Sequence, residues 1–403
     1  MPRIIKNSLA GGVLGIGVTC LLIQINICLT PLPAYHNVDF LVKPDKINYE
    51  GVVISDTTGA LKEIIIHFTI ESAPKILPAY LDLFRSMASD VKVYVACSDQ
   101  PAFDVLMKEF KEAGILNLSR FYPLIMECNI TAWARDRFLA KVPVYPALLA
   151  HPKSGVDKNL KGVLMLPPRP EYGCEARIND WFVSWKLSSL FPQDYQVEKT
   201  NLYFHGGDLI NAGHLMFIDY NLVKDNVGTT GHSFNDFKNY LETKFGKKII
   251  LVGDEQHPAP QHHIEMYLTP LNEQTVLVGD PDLAMRLLGR DQDIRDKIDL
   301  SEETLARFRN VASCLEEKGF RIIRIPLLPF KDSRVFVSYN NIVMETGSGR
   351  SIVYLPRYDV PVLDDYAKNI WGEQGFEVRP IDVSKMYDLG GAIRCLVNVL
   401  ERG

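Results

Sequence analysis

A cysteine near the C-terminus follows a glycine pair in the run Gly390-Gly391-Ala392-Ile393-Arg394-Cys395. A thiol turns nucleophilic when it is ionised beside groups that favour its charge. Three distant stretches carry residue types able to work with it. In "TAWARDRFLA", Trp133, Arg135 and Asp136 set a charged pair beside a large flat ring. That run reads as an ion pair next to a half-buried tryptophan, or as a carboxylate aimed at a planar cation. In "NLYFHGGDLINAG", His205 and Asp208 flank Gly206-Gly207. The glycines read as a turn, or as a place where backbone comes close to a ligand. In "PQHHIEMYLTPL", His263 and Glu265 are two apart and share a face if the segment is a strand. That pairs an acid/base group with a carboxylate; a structural histidine is the plain alternative. The helical His-Glu-x-x-His zinc arrangement is missing and no cysteines cluster nearby, so no metal is expected.

Holding these stretches together takes a framework, and the hydrophobic pattern supplies one from about residue 60 onward. "LKEIIIHFTI" and "VKVYVACS" read as buried strands, with the helix "PAYLDLFRSMA" between them and "FDVLMKEFKEAG" after, Gly114 ending it. "KKIILVGD", "HIEMYLTPL" and "QTVLVGD" continue as strands. "SEETLARFRNVASCLEEKGF" is a helix opened by Ser301. "RIIRIPLL", "RVFVSYNNIVME" and "SIVYLP" are strands, followed by the helix "PVLDDYAKNIWGEQG", the strand "FEVRPIDV" and a last strand that holds Cys395. This is an α/β chain with two or three strands per helix. That excess of strands argues against a purely doubly wound parallel sheet and favours repeated strand-rich modules.

Composition excludes some functions. The formal net charge is −5 across 403 residues, with no acidic or basic block, so no nucleic-acid partner is indicated. There is no P-loop and no G-x-S-x-G elbow, and "GGVLGIG" opens no strand–turn–helix unit. The N-terminus stands apart: after Arg3 and Lys6 no charged side chain occurs until Asp39. The apolar stretch from Leu9 to Leu32 has the length of a bilayer-spanning helix, about 20 residues. Residues 1–36 therefore read as a signal anchor or a cleaved signal peptide, with a buried helix as the third possibility, and residues 37–403 as one domain. The first two readings put that domain outside the cytoplasm, and the anchor reading also ties it to a membrane, through the leader only. Seven cysteines are present, two of them in the leader. The other five are an odd number, so at least one is unpaired within the chain.

Taken in order, Asp136, Gly206-Gly207-Asp208, His263-x-Glu265 and Gly390-Gly391-x-x-x-Cys395 resemble the guanidino-group-modifying enzymes, the penteins. "WARD" resembles the Trp-x-Arg-Asp of agmatine deiminases and their bacterial peptidylarginine relatives. "HIE" resembles their His-Ile-Asp, "VSYNN" their Ser-Tyr-x-Asn, and "GGAIRC" their Gly-Gly-x-Ile-His-Cys. The resemblance spans about residues 130 to 398. It implies a five-bladed α/β propeller of pseudo-fivefold symmetry and cysteine-dependent hydrolysis of a guanidino group without metal or organic cofactor. Its implied catalytic residues are Cys395 as nucleophile, His263 as acid/base, and Asp136 and Glu265 as the carboxylates that grip the cation. Trp133, His205, Asp208, Asn341 and Arg394 are its implied substrate-binding residues. Three positions depart from the pattern: His205 stands where many relatives have Glu, Glu265 replaces Asp, and Arg394 replaces the His before the nucleophile. Export favours peptidyl-arginine as substrate; agmatine or free arginine, transfer of the amidino group to an amine, and a catalytically silent binding module are the alternatives.

Overall fold

A computed structural model describes residues 51–143, 160–171, 174–226, 233–289, 292–331, 335–347 and 349–403. The leader expected over residues 1–36 lies outside the described residues. Among those described, no helix is long and apolar enough to cross a membrane.

The described strands form five sheets. In each, two strands pair antiparallel and a crossover through a helix returns a third strand parallel to the second. The plainest copy pairs Val343–Gly347 with Arg350–Arg357, crosses through the helix Pro361–Glu373, and lays Glu377–Asp382 parallel to Arg350–Arg357. Leu268–Pro270, Thr275–Asp280 and Arg321–Pro329 repeat this arrangement, and so do Leu209–Ala212, Leu215–Asp219 and Lys248–Val252. Leu139–Pro143, Gly162–Leu166 and Tyr195–Lys199 repeat it again.

The fifth copy joins the two ends of the described chain. The C-terminal strand Val397–Arg402 pairs antiparallel with Leu61–Phe68, which runs parallel to Lys92–Cys97. "LKEIIIHF" has an almost unbroken apolar run because Leu61–Phe68 is an interior strand covered on both faces, and Ile64, Ile65 and Ile66 are fully buried. This pairing fixes the base of Cys395, which stands just before Val397.

Three expectations need correction. Cys395 is not in the last strand; it lies in a four-residue helical turn, Ile393–Leu396, that precedes it. "HIEMYLTPL" is not one strand either. Ile264–Met266 is a 3₁₀ turn, and only Leu268–Pro270 pairs into a sheet. "RVFVSYNNIVME" likewise splits into Phe336–Ser338 and Val343–Gly347 in two different sheets, with Asn340 and Asn341 in the connection. The helix capped by Ser301 stands as read, its hydroxyl accepting the Thr304 N–H at 3.3 Å.

Candidate active site

Backbone hydrogen bonds clamp three of the four stretches together. The Arg135 N–H donates to the Cys395 carbonyl at 3.2 Å, and the Gly206 N–H donates to the Asp136 carbonyl at 3.0 Å. Asn398, two residues into the final strand, donates its amide to the carbonyls of Ala134 and Phe138 at 3.3 and 2.8 Å. The glycine pairs serve close packing here. A Cβ on Gly206 would collide with the Arg135 carbonyl oxygen, and one on Gly207 would lie 2.5 Å from His263 Nδ1. A Cβ on Gly391 would lie 2.8 Å from the Trp133 ring and 3.1 Å from Cys395 Sγ. Gly390 takes a left-handed turn at φ 81°, which glycine adopts without strain. Without a side chain, Gly391 lets the Trp133 ring and the Cys395 sulfur share one wall.

Cys395, Asp136, His263, His205, Asp208 and Trp133 line one cavity of about 530 Å³. Glu265, Asn341 and Arg394 do not line it. They lie beneath the thiol, at most about one-twentieth exposed. Glu265 Oε1 accepts from Cys395 Sγ at 3.2 Å and from Asn341 Nδ2 at 3.2 Å, while Asn341 Nδ2 also reaches Sγ at 3.2 Å. Asn341 Oδ1 accepts the Arg394 N–H at 3.0 Å. Asn341 is thus a bracket for the thiol and its loop, not the support for a polar substrate group expected from the sequence.

The departures at 265 and 394 explain one another. Arg394 Nε donates to Glu265 Oε2 at 2.9 Å, and its other end pairs with Asp56. Arg135 Nη2 reaches Asp56 Oδ2 at 3.4 Å, and its Nε lies 3.7 Å from Glu265 Oε2. The result is a buried square of two arginines and two carboxylates, which burial permits only because each charge is matched. Burial raises the Asp56 carboxyl, but Arg135 and Arg394 outweigh it and hold it below the usual range. Arg394, buried beside Asp56 and Glu265, keeps its charge more firmly than usual. Asp56 was missed in the sequence because it belongs to no chemical motif and lies far from all four stretches. Arg394 is a buried member of this square, which corrects its expected place at the substrate. Arg135 pairs with this square and not with its neighbour Asp136, as the "WARD" run suggested.

Asp136 has another partner. Its Oδ2 accepts from Arg177 Nη1 at 2.6 Å. Burial raises its carboxyl, but Arg177, with His263, Arg137 and His205 beyond it, holds it below the ordinary carboxylate range. Its Oδ1 is buried and has no hydrogen-bond partner among the described residues. Arg177 stands on the short helix Glu175–Asp180, and no pattern in the sequence singled it out.

His263 Nε2 lies 3.2 Å from His205 Nδ1 and 3.9 Å from Asp208 Oδ1. Asp208 Oδ2 accepts the His205 N–H at 2.7 Å. Burial, then the neighbouring His263, press the His205 pKa down to about 2, so its ring is neutral. Burial pushes Asp208 up to about 7, opposed by His263. His263 and Glu265 do not share a strand face: His263 opens on the cavity, whereas Glu265 turns inward to the square. Burial, and then the carboxylates of Glu265 and Asp136, push the Cys395 thiol well above its ordinary pKa. At neutral pH the resting group is therefore the thiol. Among the described residues no group of three or more His, Cys, Asp or Glu is arranged to hold a metal ion, and all five cysteines there are free.

No protein-family model and no curated protein sequence matches the chain. Solved structures do. It is similar to the agmatine deiminase of C. jejuni, with a TM-score of 0.63 at 16% identity, covering 87% of this chain and 96% of that one. It is also similar to the agmatine deiminase of Enterococcus faecalis, with a TM-score of 0.59 at 11% identity, covering 87% and 96%. The chain has a pentein-like fold. At these identities the likeness is one of architecture, and it agrees with the strand-rich modules of the sequence. In this pentein-like chain the site chemistry rests on its own residues: the Cys395 thiol, the Asp136 and Asp208 carboxylates and the His205–His263 pair around a shared cavity.

Proposed function

We propose that this chain is a cysteine-dependent guanidine hydrolase, a deiminase acting on an arginine-derived guanidino group. The observation that carries the reading is the convergence of Cys395, Asp136 and His263 on one cavity from three distant segments. A guanidinium is planar, with donors in a fixed fork. Asp136 Oδ1 offers it a buried acceptor without a partner. A cation bound there cancels part of the carboxylate field that keeps Cys395 protonated, so substrate binding itself favours the thiolate. The thiol proton passes to His263, and Sγ attacks the guanidinium carbon. His263 returns that proton to the departing nitrogen, ammonia leaves, and an S-alkylthiouronium remains. Water then attacks, giving a proton to His263; the C–S bond breaks, the ureido product leaves and the thiol is restored. Trp133 supplies a flat wall for the planar cation. The five sheets form the five blades of a propeller in this reading, with the site at their common centre.

The substrate class in this reading is peptidyl-arginine, supported by the exported leader expected over residues 1–36 and a catalytic domain over 37–403. Ammonia and ureido product, measured over a panel of peptidyl-arginine, free arginine and agmatine, test it. Release from peptidyl-arginine is expected to exceed the other two; release from none of the three would end the proposal. Location is tested separately by adding protease to intact cells. The domain is expected to be digested, and its full protection would remove the argument for an extracellular substrate.

A further inference from the structure

The carboxylate that a substrate guanidinium needs already holds a guanidinium of the chain itself. Arg177 Nη1 sits 2.6 Å from Asp136 Oδ2, inside the cavity that Cys395 opens on. The donor group is chemically the same as the substrate's, so the two compete for one buried anion. Arg177 has a second ion-pair partner, Glu171 Oε2, 3.4 Å from its Nε. Glu171 is about a quarter exposed and is also paired with Arg137. A side chain with two carboxylates within reach can surrender one and keep the other.

We propose that Arg177 is a specificity-determining residue, an internal competitor that occupies Asp136 in the resting protein and withdraws to Glu171 when a guanidinium enters. The inference rests on the deiminase reading, in which Asp136 receives the substrate cation. Arg177 is not placed to bind a substrate carboxylate, because both its close partners are carboxylates of the chain and its charge is already matched. Asp136 Oδ1 is the point of entry: it is buried, unpartnered among the described residues, and on the same group as the oxygen held by Arg177. Arg135 and Arg394 share Asp56 because Glu265 supplies the second matching charge; a substrate cation brings no such partner to Asp136, so its full engagement draws Arg177 from Oδ2 to Glu171. Ligands that cannot displace a planar, forked cation are excluded. A simple ammonium, which presents a point charge, is the clearest example.

Where a site is open only a tenth of the time, apparent affinity falls about tenfold. Removing Arg177 therefore tightens binding, although it removes a polar residue from the site. The test uses a Cys395→Ala background, which binds without turnover, and calorimetric titration with ethylguanidinium and with ethylammonium. Arg177→Ala and the more conservative Arg177→Gln are each expected to bind ethylguanidinium about tenfold tighter or more and to narrow the preference over ethylammonium. Asp136→Asn is expected to lose binding whether or not Arg177 is present. Unchanged or weaker ethylguanidinium binding in both folded Arg177 variants, with Asp136→Asn still losing it, overturns the competitor and leaves the deiminase reading standing. Absence of ethylguanidinium binding in every variant, Arg177 present or removed, overturns the deiminase reading and the competitor with it. Circular dichroism of each variant distinguishes lost binding from lost folding, and the Gln variant, which retains a donor toward Asp136, covers the case in which Ala does not fold.

Discussion

Replacing Cys395 with alanine is expected to abolish ammonia release, a loss of about a thousandfold or more, as removal of a covalent nucleophile does elsewhere. The fold should survive. Sγ contributes two polar contacts at 3.2 Å, to Glu265 and Asn341, and hydrogen bonds of this kind are worth about 1 kcal/mol each. Glu265 keeps its pairing with Arg394, and Asn341 still accepts from the Arg394 N–H, so neither buried polar group is stranded. Cys314→Ala is the control. Cys314 lies on the helix Glu302–Glu317, beside Lys318 Nζ at 2.9 Å and away from the cavity, and its removal should leave turnover unchanged. Steady-state ammonia release and circular dichroism of both variants check this. Full activity in the Cys395 variant would remove the nucleophile from the account.

Asp136→Asn is expected to lower kcat/KM by about 30-fold or more, the equivalent of one charge-assisted hydrogen bond of about 2–3 kcal/mol. The shape of the side chain is kept while the charge goes. Two consequences combine: the substrate loses its anion, and the field that Asp136 adds to the thiol weakens, which lowers the thiol pKa. The first effect is the larger, because Asp136 Oδ1 is the buried, unpartnered carboxylate oxygen on the residue that shares the cavity wall with Cys395 and His263, whereas Glu171 is already ion-paired with Arg137 and Arg177. Kinetics like those of the unmodified protein in a folded Asn variant would mean that the Asp136–Arg177 pair is structural and the substrate carboxylate lies elsewhere.

Much of the site was legible in the sequence, and the reasons for its gaps are physical. Cys395, Asp136 and His263 could be singled out because thiol, carboxylate and imidazole in glycine-marked runs are chemically conspicuous. The module rhythm was legible because interior strands such as Leu61–Phe68 need unbroken apolar runs, and helices such as Glu302–Glu317 carry caps. The segment around His263 was misread because "HIEMYLTPL" has the alternation of a strand. The 3₁₀ turn Ile264–Met266 is set by tertiary contact, including the Ser338 hydroxyl donating to the Met266 carbonyl at 2.5 Å. Gly206-Gly207 was open between a turn and a close approach. The approach is to distant parts of the same chain, the Arg135 carbonyl and the His263 ring, which only the folded structure brings together. Asp56 and Arg177 were missed outright. Each is a single charged residue in an unremarkable context, and its role comes wholly from what lies across the fold. The substitutions at 265 and 394 looked like two separate departures. The square with Asp56 and Arg135 makes them one: the longer Glu265 carboxylate is held at its far oxygen by Arg394, which leaves Oε1 at the thiol.

The most direct test of the central claim is the mass of the enzyme caught during turnover. Acid quenching in the presence of peptidyl-arginine, followed by peptide mass spectrometry, is expected to find the substrate joined through its guanidino carbon to Cys395 as an S-alkylthiouronium, one ammonia lighter than the sum of the two. The adduct should be absent from Cys97, Cys128, Cys174 and Cys314. Turnover with no adduct on Cys395, or with the adduct on another cysteine, would contradict the account.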